Sequence, residues 1–251
     1  MNGEPYLCIR DVDDLAPFLM NVVSNGDVWI FAGSNTALTA GRRNPDCALF
    51  PYQTADKLLR LPQGSGVTCL LRVGETLWEP WRKTPRPVDV SRNLYKHECG
   101  TSIAFEETNR ALGLRMGWRL EASKDLVLVR HCTLENVGAA RVTVRSLDGW
   151  HHLLPHGVSQ ETYARYSYLA AAYMRHELVA NIGLGIYTLN AAISDSAEPA
   201  ESLRASCAWS LGRRQPVRLL SERQVAAFRA GDVVSDEREI RGNFGRVSRR
   251  G

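Results

Sequence analysis

From Leu112 to Glu121 the chain alternates without interruption. Leu112, Leu114, Met116, Trp118 and Leu120 share one parity, and Gly113, Arg115, Gly117, Arg119 and Glu121 share the other. A period of two puts successive side chains on opposite sides of a strand, so this stretch requires an antiparallel sheet with one face on a core and one toward water. The next stretch extends the pattern. Leu126, Leu128, Cys132 and Leu134 fall on one parity, and Val142, Val144 and Ser146 resume the alternation after Glu135-Asn136-Val137-Gly138. That spacing predicts a strand, a turn and a second strand paired to the first, ending at Asp148-Gly149.

Other segments agree with a chain built mainly of strands. Pro5 to Asp11, Val28 to Gly33, Val67 to Val73, Thr101 to Phe105 and Ile182 to Ile193 are short runs with strand character, and Leu203 to Leu211 alternates again. The residues Glu106 to Arg110 read as a polar turn, and Ser34 to Gln63 as a long irregular connection. Gln160 to Leu178 fits either a helix or a strand, with propensity favouring the helix. One helix start carries its own chemistry: Ser221 with Gln224 forms a capping-box pattern, and Gly231 is placed to end that helix.

At 251 residues the chain is long enough for a sandwich or barrel built as one domain. No apolar run approaches a membrane-spanning length, and the N-terminus lacks a basic start followed by an apolar stretch, which predicts a cytoplasmic protein. The formal charge of +4 comes from scattered arginines and a terminal basic cluster, without the basic face interleaved with aromatics that nucleic-acid binding needs. The six cysteines form no C-x-x-C pair, as expected of thiols in a reducing compartment.

Two stretches concentrate side chains suited to ligands. In Leu77-Trp78-Glu79-Pro80-Trp81-Arg82 two indoles flank a carboxylate and a guanidinium. Flat rings suit the apolar faces of sugars and the charged groups suit hydroxyls; the other reading is that Trp78 and Trp81 anchor a Pro-rich edge to the core. In Trp150-His151-His152-Leu153-Leu154-Pro155-His156-Gly157 an indole and three imidazoles follow Asp148. Adjacent side chains on an extended backbone point apart, so no metal site is expected at His151 and His152, and no cofactor is implied. Turn acids such as Asp148 ordinarily cap backbone N–H groups, and no catalytic residue is assigned.

Three stretches carry a family resemblance: VWIFAGSNTALTAGRRNPDCALFPY with the later LWEPW, VLVRHCTLENVGAARVTVRSLDGWHHLLP, and ISDSAEPAESLRASCAWSLG. Across residues 15–212 the chain resembles the N-terminal β-sandwich of cellobiose and chitobiose phosphorylase-like enzymes, a group of glycoside hydrolase and glycosyltransferase proteins. The resemblance implies a two-layer antiparallel supersandwich similar to galactose mutarotase over residues 1–217, followed by a linker helix and tail over 218–251. In those relatives the catalytic acid and the phosphate-binding residues belong to a helical barrel, for which these 251 residues leave no room. The expected role is therefore an accessory sandwich, without turnover alone, that shapes a sugar cleft with a helical-barrel domain in the same or another chain. Its partners are an oligosaccharide or small sugar and that domain, with a homodimer as a further expectation. Trp78, Trp81, Asp148, Trp150, His151 and His152 are the candidate sugar-binding or interface residues. Two other readings stay open: a mutarotase-like epimerase with His151 or His152 and a carboxylate such as Glu135 or Asp148 as acid and base, and a purely structural or oligomerising sandwich.

Overall fold

The computed structural model of the chain describes residues 3–24, 26–60, 66–82, 89–193, 202–212, 216–218 and 220–242. The protein is mainly β, with 43% strand and 17% helix. The elements in chain order are β1 (Tyr6–Ile9), β2 (Leu19–Val22), β3 (Val28–Gly33), β4 (Leu38–Arg42), α1 (Ala55–Arg60), β5 (Gly66–Val73), β6 (Thr76–Trp78), β7 (Val90–His97), β8 (Ser102–Asn109), β9 (Leu114–Ser123), β10 (Val127–Asn136) and β11 (Arg145–His151). There follow α2 (Gln160–Tyr173), β12 (Met174–Val179), β13 (Leu184–Leu189), β14 (Ser206–Ala208), α3 (Glu222–Ala230) and β15 (Glu239–Arg241). Among the described residues no helix is long and apolar enough to cross a membrane.

Two compact units divide the chain: Met1–Arg43 with Tyr52–His152, and Asn44–Pro51 with Leu153–Gly251. The first holds a five-stranded antiparallel sheet in the order β1-β7-β8-β9-β10 and two three-stranded sheets, β11-β5-β6 and β2-β3-β4. The alternation of β9 sets the geometry of the large sheet. Met116, Trp118 and Leu120 line up across the ladders with Glu107, Phe105 and Ile103 of β8 and form the buried face, whereas Arg115, Gly117, Arg119 and Glu121 occupy the outer face. Leu94, Ile103, Phe105 and Leu120 are each about 99% or more buried, and burying such a side chain contributes about 1.5–3 kcal/mol. Gly113 holds φ at +64° in the turn before β9, and its carbonyl accepts the N–H groups of Val137 and Gly138, which pins the end of β10.

The second unit has a four-stranded sheet, β14-β13-β12-β15, with α2 and α3. The Ser221 hydroxyl accepts the Gln224 N–H, Gln224 Oε1 accepts the Ser221 N–H, and Gly231 adopts φ +94°, so α3 starts and stops on the predicted residues. The stretch that fits both periodicities is both: Gln160 to Tyr173 is helix, and the chain turns to strand at Met174.

The chain departs from several of these expectations. The strands predicted as one hairpin are not partners, because β10 pairs with β9 whereas β11 pairs with β5 in another sheet. β11 continues through Asp148 and Gly149 to His151, since a glycine without tertiary strain does not stop a paired strand. The predicted turn at Glu106 to Arg110 is strand as far as Asn109, the second half of β8, and the irregular connection contains β4 and α1. In the chain the boundary between the two compact units falls after His152, and β15, which lies beyond residue 217, pairs with β12.

His176 of β12 sits beside Tyr187, with ring centroids 4.9 Å apart, and both imidazole nitrogens are shielded from water with no well-formed hydrogen bond among the described residues. Burial pushes its pKa below the ordinary value of 6.5, with the nearby Leu220 backbone pulling the other way. Below that pH the unfolded chain takes up a proton that the folded imidazole resists. Stability is expected to fall as pH drops from 7 to 5, with this residue contributing up to about 1.4 kcal/mol per pH unit. Urea unfolding across that range checks it, and His176→Leu should flatten the slope by that amount.

Candidate functional site

Trp78 and Trp81 belong to the interior of the first unit, being 97% and 96% buried, which corrects their assignment as a sugar platform. They surround Glu107, a carboxylate with no exposed side-chain surface. Trp78 Nε1 donates to Glu107 Oε1 at 2.6 Å, the Trp81 backbone N–H donates to Oε2, and Arg92 Nε donates to the same oxygen at 2.7 Å. Arg92 continues the network: Nη1 donates to both Asp13 oxygens at 3.2 Å and Nη2 to the Arg82 carbonyl at 2.7 Å. Trp81 holds φ at +70°, an uncommon region for a bulky residue, while its ring packs on Phe105 and Trp118 and its Nε1 donates to the Ser34 carbonyl at 2.8 Å. Both indoles thus have their polar atoms and faces engaged within the unit, leaving none for a sugar ring.

Asp148, Trp150 and His151 lie on β11, and His152 follows it. Asp148 accepts from Arg130 Nη2 of β10 at 2.6 Å, and the Arg130 guanidinium lies 5.0 Å from the Trp150 ring centroid. Cys69, paired with Asp148 in the β5–β11 ladder, has its thiol pKa pushed well up, first by burial and then by the Asp148 charge, so it stays protonated. His151 and His152 stack with ring centroids 3.9 Å apart, because His152 turns its backbone to φ +59°; the expectation that these neighbours point apart assumed an extended backbone that the chain leaves at this residue. Glu135, suggested as a base for these histidines, lies on β10 and bonds Arg115 Nη1 at 3.0 Å.

The outer face of the five-stranded sheet gathers polar groups that sequence reasoning did not single out. Register places Tyr6 beside His97, Tyr95 beside Ala104, Ala104 beside Arg119, and Arg119 beside His131. Glu121 Oε1 lies 2.7 Å from His131 Nε2 and its Oε2 lies 3.3 Å from Arg119 Nη2. Glu106 Oε1 accepts from Tyr95 Oη and Asn93 Nδ2, each at 3.1 Å. Burial, with the Glu106 charge behind it, pushes the Tyr95 hydroxyl up to about 12, so this phenol remains a donor. The Tyr6 hydroxyl lies 2.6 Å from Ser102 Oγ, and its ring meets His97 edge-on at 5.2 Å. Arg115, Arg119 and Glu121 were legible from the parity of β9. Their partners were not, because Glu135 reaches Arg115 and His131 reaches Glu121 only through strand pairing.

Removing one member of the buried network should unfold more than it unbinds. Glu107→Ala is expected to lower unfolding free energy by about 3–5 kcal/mol, the scale for stripping one partner from a buried ion pair. Trp78→Phe is expected to lower it by about 1–3 kcal/mol by leaving the carboxylate short of a donor. Urea midpoints check both, and a Trp78→Phe chain of unchanged stability but weakened sugar binding would restore the platform reading.

No protein-family model matches the chain, and no curated protein matches it.

Proposed function

We propose that this chain is a carbohydrate-associated β-sandwich module of a glycoside phosphorylase- or hydrolase-like protein, acting in the cytoplasm and without turnover of its own. It presents the outer face of β1-β7-β8-β9-β10 to a hydroxyl-rich ligand, alone or as one wall of a cleft completed by a helical-barrel domain. The observation that carries the reading is the density of matched donors and acceptors on that face. Glu106 and Glu121 accept, while Arg115, Arg119, Tyr95 and His131 donate, all from adjacent strands of one sheet. Sugar hydroxyls both donate and accept, so a surface of alternating acids and bases around tyrosine rings fits them better than it fits a single-sign ligand. The free state of all six cysteines supports a reducing compartment.

One observation favours a second reading, a mutarotase-like epimerase. His131 is exposed and lies within hydrogen-bonding distance of the half-buried Glu121, the arrangement by which an imidazole and a carboxylate exchange a proton with a sugar. The sequence-based choice of His151 or His152 for that role gives way to His131 in this version.

The two are separated by one set of titrations and one activity assay. Calorimetry with glucose, galactose and cellobiose is expected to show binding that weakens about 10- to 100-fold in Arg119→Ala, the range for a lost hydrogen bond to a charged group. Polarimetry on freshly dissolved α-glucose and α-galactose is expected to show no acceleration by the protein. Acceleration abolished by His131→Ala would replace the binding reading with the epimerase, and no sugar binding at all would remove both.

A further inference from the structure

On the opposite side of β10 from His131, Arg130 points into the first unit with 5% of its side chain exposed. Its guanidinium is incompletely satisfied. Nη2 donates to Asp148 Oδ2 at 2.6 Å, whereas Nη1 is buried without a hydrogen-bond partner among the described residues. A buried charged donor left unpaired costs more than a neutral one, so Nη1 requires an acceptor that the described residues do not supply. The charge of that acceptor follows from the neighbourhood. Asp148 already neutralises Arg130, and a second anion would sit against the Asp148 carboxylate, so the missing group is a neutral oxygen.

Three neighbours define what carries that oxygen. The Trp150 ring lies over the guanidinium at 5.0 Å and offers a flat apolar surface beside it. Asp148 keeps 26% of its side chain exposed and is an acceptor for an O–H. Cys69, held protonated by burial, supplies no nucleophile here. Both strands involved, β10 and β11, are the terminal strands of their sheets.

We infer that Arg130, Asp148 and Trp150 form a diol-binding subsite, in which one hydroxyl oxygen of a sugar or polyol accepts from Arg130 Nη1 and its vicinal O–H donates to Asp148. The Trp150 indole covers the subsite and packs against the carbon face of the bound diol. This rests on the carbohydrate reading for its ligand class but uses none of the residues of the outer face.

The test uses the full chain with sorbitol, glucose and cellobiose as probes and cyclohexanol as a control bearing a single hydroxyl. Hydrogen–deuterium exchange on the unmodified protein is expected to slow in the peptides covering β10 and β11 when a diol probe is added, and not with cyclohexanol. Calorimetry is expected to show diol binding about 10-fold weaker in Arg130→Met, the loss expected for one hydrogen bond to a charged donor, and retained in Glu75→Gln, an exposed turn residue outside both surfaces. Diol binding that Arg130→Met leaves intact, or protection confined to the outer-face peptides, overturns the subsite while keeping the module reading. Should Arg130→Met not fold, Trp150→Leu and the exchange data on the unmodified chain decide it. Equal protection by cyclohexanol, or none by any probe, means that Nη1 is served by an internal water only, and the subsite is rejected.

Discussion

The Glu107 carboxylate is the constraint around which the first unit is assembled. A carboxylate without solvent contact is tolerated only where charge and lone pairs are both met, and here a guanidinium, an indole N–H and a backbone N–H meet them. Each donor comes from a different part of the chain: Trp78 from the end of β6, Trp81 from the loop after it, and Arg92 from β7. Arg92 in turn reaches Asp13, and Trp81 reaches the Ser34 carbonyl. The network therefore fixes where the short sheets and connecting loops sit against the large sheet. An apolar residue in place of Glu107 would pack as well but would leave those donors unassigned, so the carboxylate supplies direction that hydrophobic burial lacks.

That anchoring of one face leaves the other face free to be polar. Along β8 the parity that turns Phe105 and Glu107 inward turns Ala104 and Glu106 outward, and β9 does the same with Trp118 and Arg119. Small residues help the outer groups approach: a Cβ at Gly117 would lie 3.1 Å from Thr133 Oγ1, so only glycine keeps β9 and β10 at this spacing without moving that hydroxyl. The outer face is thus a consequence of the same ladders that build the core. Its charged groups are spaced by strand separation, and each carboxylate finds a donor one strand away.

Local pattern and strand partnership were legible to different degrees. The alternation of β9, the capping box of α3 and the strand character of β3 and β5 are properties of contiguous residues, and the chain obeys them. Glu106 to Arg110 read as a turn because five polar residues in a row carry no apolar parity; as far as Asn109 they are strand through their ladders with β7 and β9, which lie elsewhere in the sequence. Likewise β10 and β11 alternate as a hairpin should, but alternation is blind to partners, and the connection between them crosses from one sheet to another. Trp78 and Trp81 show the same limit from the other side. Two indoles near charged residues look alike whether the charges face a ligand or, as here, form a buried ion pair, and only the position of Glu107 separates the two.

β10 carries a group of each kind, one on either face. As the last strand of its sheet it has β9 on one side only, so its side chains are less buried than those of the strands within. His131 points to the outer face and meets Glu121, whereas the preceding Arg130 points inward and meets Asp148. An arginine among apolar neighbours would be costly on an interior strand such as β8 without a complete set of partners, which is what Arg92 has and Arg130 lacks. The contrast is physical. Arg92 has acceptors for Nε and both Nη groups and serves the fold; Arg130, on a terminal strand next to a half-exposed carboxylate, keeps one donor unspent where the sheet ends. The same residue type therefore has opposite consequences in one unit, and the difference is set by how many acceptors the neighbouring strands bring within reach.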